Sequence, residues 1–118
     1  MAKIEPYQVL TVQSALEDLF HIVQYIDVDL QQPLTASRIY QQLRSEIQRL
    51  TDTAGLKAPY FDLNGRIFYR HNVKHYAIIY TIENNTAYVV HVYHGLQDID
   101  TRLNDVMDVV QARESEID

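Results

Sequence analysis

Cysteine is absent from the 118-residue sequence, and glycine and proline occur only three times each. Without cysteine there is no disulfide framework, no thiolate nucleophile and no cysteine-ligated zinc site. Three glycines that are not suitably spaced exclude a glycine-rich phosphate-binding loop. No apolar run approaches the roughly 20 residues of a membrane span, and the N-terminal residues lack the apolar core of a signal peptide. These absences predict a soluble cytoplasmic protein without membrane association.

The composition is that of one ordinary globular domain. Apolar residues make up 47% of the chain and charged residues 22%, and this balance excludes wholesale disorder. The length also fits a single domain, which at this size can bury a substantial core without covalent cross-links.

Charge is distributed unevenly along the chain. The formal net charge of −6 argues against a generic nucleic-acid binder. Residues 32–82 nevertheless have a balance of +4, whereas both ends are acidic. No acid occurs between Asp62 and Glu83. Three cations lie in that acid-free stretch, namely Arg66, Arg70 and Lys74. This stretch predicts either a local positive field that binds a partner or a basic strand edge that discourages aggregation.

The first half of the chain predicts a strand and two helices. Residues 7–12 alternate weakly and are rich in β formers. Ser14 and Glu17 have the spacing of a capping box, and a helix is expected over residues 13–29. Pro33 breaks this helix and begins a second one that extends to about residue 51. We expect the apolar stripes of both helices to be core, namely Leu16, Leu19, Phe20, Val23 and Ile26 in the first and Ala36, Ile39, Tyr40, Leu43, Ile47 and Leu50 in the second.

The second half predicts a loop over residues 52–64 and then three strands. These strands are expected at residues 66–71, 73–82 and 87–94, with a primed turn at Asn84-Asn85. The fold class is therefore α+β with the order β-α-α-β-β-β, a helical hairpin packed on an antiparallel sheet. The acidic, amphipathic tail predicts either a packed C-terminal helix or a helix that binds a partner.

The Asn84-Asn85 turn also predicts which residues face each other across the last two strands. It places Ile79 opposite Val90, Ala77 opposite Val92 and His75 opposite His94. A further turn at Asn72-Val73 would place Arg70 opposite His75 and Phe68 opposite Ala77. Arg66 and Arg70 would then share one face of the sheet with both histidines.

Two histidines and two arginines on one face could bind a phosphate and exchange protons near neutral pH. The alternative is that His75 and His94 are half-buried sheet residues with ordinary hydrogen bonds. A metal site is not predicted, because there is no His-x-x-x-His on a helix and no third ligand. No cofactor is predicted either.

The sequence resembles the RelE/ParE superfamily of toxins from type II toxin–antitoxin pairs over residues 7–103. The order and spacing of several short segments carry the resemblance. These segments are Ala15-Leu-Glu-Asp-Leu19, Tyr25-Ile26, Pro33 with Ala36-Ser-Arg-Ile39, Ile47-Gln-Arg-Leu50, Arg70 with Val73-Lys-His-Tyr76, Ile79-Tyr80, Val92-Tyr-His-Gly95 and Gln97-Asp98. Residues 1–103 would form the toxin domain and residues 104–118 an acidic tail.

The resemblance implies a growth-inhibiting, plasmid-stabilising type of protein neutralised by a cognate antitoxin. RelE-type relatives are ribonucleases that cleave messenger RNA on the ribosome, whereas ParE-type relatives block DNA gyrase without cutting RNA. For the first activity, the candidate catalytic residues are His75, His94 and Arg70, with Arg66 and Lys74 binding RNA. Ala77 and Gly95 stand where some RNA-cleaving relatives carry Arg and Tyr. A family member without toxicity is a third alternative for the function. A homodimer is a possible assembly.

Overall fold

Two helices lie on one face of a twisted sheet in the computed structural model, which describes residues 6–94. The helical part comprises α1 (Gln13–Gln24), which continues into a π-helical turn (Tyr25–Asp29), and α2 (Pro33–Thr53), which ends in a 3₁₀ turn (Ala54–Leu56). The strands are β1 (Gln8–Thr11), β2 (Phe61–Leu63), β3 (Arg66–Val73), β4 (Tyr76–Glu83) and β5 (Thr86–His94). The predicted tail of residues 104–118 lies outside the described residues. Between residues 6 and 94 no helix is both long and apolar enough to cross a membrane.

The five strands within residues 6–94 have the order β1-β5-β4-β3-β2. The predicted α+β class and the β-α-α-β-β-β order are confirmed, with two corrections. The sheet is mixed, because β1 pairs in parallel with β5. The predicted loop over residues 52–64 contains β2, which forms a hairpin with β3. Asn64 and Gly65 turn this hairpin with φ values of 54° and 88°, and Asp62 accepts a hydrogen bond from the Gly65 amide at 2.9 Å.

The helices bury one continuous core against the sheet. Ala15 and Leu19 of α1 share this cluster with Leu43, Ile47 and Leu50 of α2. The sheet contributes buried residues that include Ile78, Tyr80, Val89 and Val92. Four residues of the predicted stripes are not core, since Leu16, Phe20 and Tyr40 are 42%, 62% and 41% exposed and Val23 is only half-buried. They line a surface groove of about 300 Å³ between the helices, because the stripes are wider than the sheet contact.

The second face of the sheet has its own buried cluster. Phe68, Ala77 and Ile79 are 0% exposed there, together with the nearly buried Val90 and Tyr93. Because β4 and β5 are buried on both faces, they show continuous apolar runs rather than strict alternation. Such runs carry little information about register.

The turn between β4 and β5 is as predicted, but the pairing changes farther along. Asn84 and Asn85 have φ values of 50° and 63°, and partners follow the predicted register as far as Tyr80 and Val89. A β-bulge then leaves Val90 without a partner on β4 and shifts the pairing by one residue. The predicted pairs Ile79–Val90, Ala77–Val92 and His75–His94 are therefore wrong. The observed pairs are Ile79–His91, Ala77–Tyr93 and Tyr76–His94.

The turn between β3 and β4 lies at Lys74-His75 and not at the predicted Asn72-Val73. Arg70 consequently faces Ile79, and Phe68 faces Thr81. Asn72 lies within β3, where its side-chain oxygen accepts a hydrogen bond from Arg70 Nε at 2.7 Å. Two predicted pairs, Arg70–His75 and Phe68–Ala77, are therefore wrong.

The predicted capping box at the start of α1 is also wrong. The helix begins at Gln13 and its N-cap residue, Val12, makes no side-chain capping bond. Ser14 lies inside the first turn, where its hydroxyl donates a hydrogen bond of 2.6 Å to the Val90 carbonyl. The hydroxyl thus joins α1 to β5 instead of capping the helix.

Candidate functional site

A cleft of about 230 Å³ opens where the β3–β4 turn and the end of β5 meet the first half of α2. Six of its lining residues carry groups that can bind anions or donate hydrogen bonds. These groups belong to Arg38, Gln42, Lys74, His75, Tyr76 and His94. Arg38 and Gln42 project from α2 four residues apart, which places them on one side of the helix. The cleft therefore has cationic groups beside the apolar side chains of Ile39, Leu43 and Val73, within a chain of net charge −6.

The two predicted histidines both lie in this cleft, although they are not cross-strand partners. The rings of His75 and His94 are stacked with their centroids 6.4 Å apart and their planes 16° apart. His75 reaches this position from the turn, and His94 reaches it from the last position of β5. The ring of Tyr76 packs edge-on against His94 at 5.6 Å between centroids. This contact limits rotation of the His94 ring.

Tyr76 lines both the cleft and a neighbouring cavity. Its side chain is half-buried, and burial raises the pKa of its hydroxyl above the usual value of 10.0. The hydroxyl is therefore a neutral donor at physiological pH. A second cavity of about 480 Å³ shares Tyr76 and His94 and extends to the end of α1. Its walls are mainly apolar, with Tyr25, Leu30 and Ile39 among them.

Lys74 has a left-handed backbone conformation with φ of 53°. Side chains other than Gly, Asn and Asp rarely adopt it, because Cβ approaches the following carbonyl oxygen. Strain of this kind occurs preferentially at functional sites. Here it allows a two-residue turn that presents Lys74 and His75 together at the rim of the cleft.

The structure separates Arg66 and Arg70 from the cleft. Both alternate with Phe68 along β3 and therefore lie on the second face of the sheet. Arg66 forms an ion pair of 3.4 Å with Glu83. Arg70 donates to the Tyr60 hydroxyl at 3.3 Å and lies over its ring. Of the predicted site residues, only His75, His94 and Lys74 come together.

Three members of the cleft were not predicted from the sequence. None of Arg38, Gln42 and Tyr76 was a candidate site residue. Arg38 and Tyr76 fall inside the segments Ala36-Ser-Arg-Ile39 and Val73-Lys-His-Tyr76 of the family resemblance, which was the one available signal. The proximity of Arg38 and Gln42 to the histidines depends on how α2 crosses the sheet, and sequence spacing does not encode that crossing.

Two other histidines form pairs with carboxylates that the sequence did not reveal. His71 Nε2 lies 2.7 Å from Glu46 of α2, and His91 Nδ1 lies 2.6 Å from Asp18 of α1. The hydrogen bond from His71, aided by Arg49, holds the pKa of Glu46 below its usual 4.5. Both pairs tie a helix to the sheet, and neither lines the cleft. In the described part of the chain no group of three or more potential ligands could hold a metal ion.

Comparison with known proteins gives a consistent assignment. The family model described as the ParE toxin of the type II toxin–antitoxin system parDE matches residues 9–99. Among solved structures, the chromosomal ParDE toxin–antitoxin system from P. aeruginosa is similar with a TM-score of 0.62 and 15% identity, covering 75% of this chain and 95% of that chain. The RelBE2 toxin–antitoxin complex from Mycobacterium tuberculosis gives a TM-score of 0.50 and 18% identity, covering 80% and 97%. No curated protein sequence matches the chain significantly.

Proposed function

We propose that this chain, which belongs to the ParE toxin family of type II toxin–antitoxin systems within the RelE/ParE superfamily, inhibits growth by cleaving messenger RNA on the ribosome. The observation that carries this proposal is the stacked pair His75 and His94 in a cleft with Arg38 and Lys74. Such an activity would place the protein in the cytoplasm, where ribosomes are found.

Cleavage of RNA through its own 2′-hydroxyl requires two proton transfers. A base removes the 2′-hydroxyl proton as the oxygen bonds to phosphorus, and an acid protonates the 5′-oxygen as its bond to phosphorus breaks. Histidine is suited to both roles near neutral pH. With ring centroids 6.4 Å apart, one phosphodiester can lie within hydrogen-bond reach of both His75 and His94. One ring would act as base and the other as acid.

The transition state also needs its added negative charge stabilised. Arg38 offers a planar pair of donors that matches phosphate oxygens, and Lys74 offers a flexible point charge. Both lie in the cleft with the histidines. Arg38 therefore takes the phosphate-binding role that the sequence suggested for Arg70. Arg70 can retain that role only if RNA also reaches the second face of the sheet.

A second candidate function is inhibition of DNA gyrase by binding alone. The matching family model is that of ParE toxins, and toxins of the ParE kind block gyrase without cutting RNA. Under this hypothesis, the cleft would be a contact surface, and the two rings would transfer no protons. The two hypotheses differ in whether single histidines are essential.

The antitoxin is the partner that the comparisons support, since the similar structures include a toxin–antitoxin complex. We propose that an acidic, amphipathic antitoxin segment covers basic surface at Arg66, Arg70 and Lys74. The structure divides this set between two surfaces, with Lys74 in the cleft and both arginines on the second face. Lys74→Glu and the double variant Arg66→Glu/Arg70→Glu therefore test two separate antitoxin contacts in a binding titration.

Expression from a tightly controlled promoter, with and without the neighbouring antitoxin gene, tests the function. We expect growth arrest with transcripts cut on ribosomes and normal gyrase supercoiling. His75→Ala and His94→Ala should each abolish arrest while antitoxin binding persists. His21→Ala is the control, because His21 is exposed on α1 and, although it lines the adjoining cavity, it does not line the cleft.

Two other results would contradict the proposed RNA cleavage. Full toxicity of both histidine variants, with loss of supercoiling, would favour gyrase inhibition. Absence of arrest by the wild-type protein without its antitoxin would identify a family member that lacks toxicity.

A further inference from the structure

The β-bulge at Val90 determines the face of the sheet on which His94 lies. Without it, the Asn84-Asn85 turn would place His94 opposite His75, on the face that carries Phe68. With it, the end of β5 is shifted by one residue, and His94 lies opposite Tyr76. That shift brings the ring to the side of α2 and into the cleft with Arg38.

Helix α1 contacts the bulge with two side chains. The Ser14 hydroxyl donates to the Val90 carbonyl at 2.6 Å. One oxygen of Asp18, Oδ2, accepts the Val92 amide at 2.9 Å and also lies 2.6 Å from His91 Nδ1. These hydrogen bonds involve three consecutive residues of β5, of which the first is the unpaired bulge residue.

These hydrogen bonds lie along the part of the β5 edge that β1 does not pair with. The β1 strand pairs with β5 only as far as Val89, and the Val12 amide donates to the Val89 carbonyl at 3.0 Å. From Val90 onward, α1 takes the place of β1 along this edge. Asp18 is suited to this position, since its carboxylate accepts two donors that an extended β5 would present in different directions.

We propose that Ser14 and Asp18 are positioning residues that hold the bulge and thereby place His94 in the cleft. The catalytic part of this inference rests on the proposed RNA cleavage, whereas the placement of His94 does not. The competing explanation is that packing of Val90 and His91 alone sets the register.

Nuclear magnetic resonance of the isotopically labelled protein tests the placement directly. The wild type should show proton–proton contacts between the rings of Tyr76 and His94, whose centroids are 5.6 Å apart. Asp18→Ala should lose these contacts while the Tyr80–Val89 pairing on the other side of the bulge persists. Asp18→Asn should keep them, because the amide oxygen can accept both hydrogen bonds. Glu17→Ala is the matched control from the same turn of α1, since Glu17 is exposed.

Ser14→Ala provides a second test should Asp18→Ala fail to fold. It removes one hydrogen bond and should weaken the contacts between Tyr76 and His94 and speed hydrogen exchange of the Val92 amide. Unchanged ring contacts in Asp18→Ala, or unchanged contacts and exchange in Ser14→Ala, would overturn the proposal.

Cleavage assays on programmed ribosomes distinguish the placement of His94 from its role in catalysis. Displacing His94 should lower the cleavage rate of Asp18→Ala roughly a hundredfold, the scale expected when a reacting group is misplaced. Asp18→Asn should cleave at nearly the wild-type rate, which a role for the charge of Asp18 in catalysis would not allow. If His75→Ala and His94→Ala remain toxic while Asp18→Ala loses its ring contacts, the placement stands and RNA cleavage is rejected.

Discussion

The two faces of the sheet are both buried, but they use their charged residues differently. On the helix side, Lys74 and Arg38 lie with two histidines around an open cleft. On the second face, Arg66 pairs with Glu83, and Arg70 contacts Tyr60 and Asn72. The acid-free stretch thus supplies cations to two surfaces of different character. A positive segment in a sequence therefore need not form one positive surface.

Burial explains why the cleft lies where it does. Both faces of β4 and β5 contribute to cores, with Phe68 on one side and Leu43 on the other nearly inaccessible. Reactive groups can therefore be exposed only where strands end and turns begin. His75 and His94 occupy two such positions at the same end of the sheet.

Removing one large core residue from each face should produce the largest effects on stability. Phe68→Ala should lower the free energy of unfolding by about 3–5 kcal/mol, and Leu43→Ala by about 2–5 kcal/mol, because each leaves a cavity in close packing. Urea denaturation measures both. Phe20→Ala is the control, since Phe20 is 62% exposed and should cost less than about 1 kcal/mol. A loss below that level for Phe68 would show that the second face contributes little to folding.

Alanine substitutions of Arg38 and of Arg70 test which face of the sheet binds the RNA phosphate. Arg38→Ala should lower RNA cleavage by about 100-fold or more, the usual result of removing one donor to a developing negative charge. Arg70→Ala should leave cleavage unchanged, because its contacts are to Tyr60 and Asn72. Rates on programmed ribosomes provide the measurement. The reverse outcome would move the phosphate-binding site to the second face and restore the sequence-based assignment of Arg70.

The fold was predictable because its signals are local. Helical periodicity and Pro33 indicated both helices, and Asn84-Asn85 indicated a turn that needs positive φ at both residues. The turn at Lys74-His75 lacks that chemistry, since lysine is uncommon in the left-handed region. Asn72 led us to predict the turn two residues too early. Its side chain instead accepts a hydrogen bond from Arg70 within β3.

The site was only partly predictable, because it depends on a β-bulge and on hydrogen bonds between residues far apart in the sequence. The bulge at Val90 is hidden in a run of residues buried on both faces, where alternation does not reveal an extra residue. Its hydrogen bonds come from Ser14 and Asp18, more than 70 residues earlier. His75 and His94 were expected to be neighbours and are, but through a turn and a bulge rather than through direct pairing.

A pH-dependent test concerns the link between α2 and β3. Glu46 accepts hydrogen bonds from His71 and Arg49, and its pKa in the folded protein lies below the usual 4.5. The ionised carboxylate therefore stabilises the fold above about pH 4.5, and this contribution is lost as pH falls through the lowered pKa.

Glu46→Gln should thus cost on the order of 1 kcal/mol near pH 7, and the difference from wild type should shrink as the pH falls below 4.5 and through the lowered pKa of Glu46. Urea denaturation at pH 7 and at pH 3.5 measures both values. Glu17→Gln, on an exposed surface, should show no such pH dependence. A gap that widens in acid would contradict the assigned direction.

The smallest effect on stability should come from Lys74, the strained residue at the rim of the cleft. Glycine at this position removes strain of roughly 1 kcal/mol at φ of 53°, but it also costs about 0.5–1 kcal/mol in chain entropy. The free energy of unfolding of Lys74→Gly should therefore remain within about 1 kcal/mol of wild type, whereas RNA cleavage should fall because a cation is lost from the cleft. Lys74→Ala removes the same charge but keeps the strain, so it should cleave as slowly as Lys74→Gly and be no more stable. A Lys74→Ala variant more stable than Lys74→Gly by about 0.5–1 kcal/mol would show that the left-handed conformation is not strained, and wild-type cleavage by either would remove Lys74 from the site.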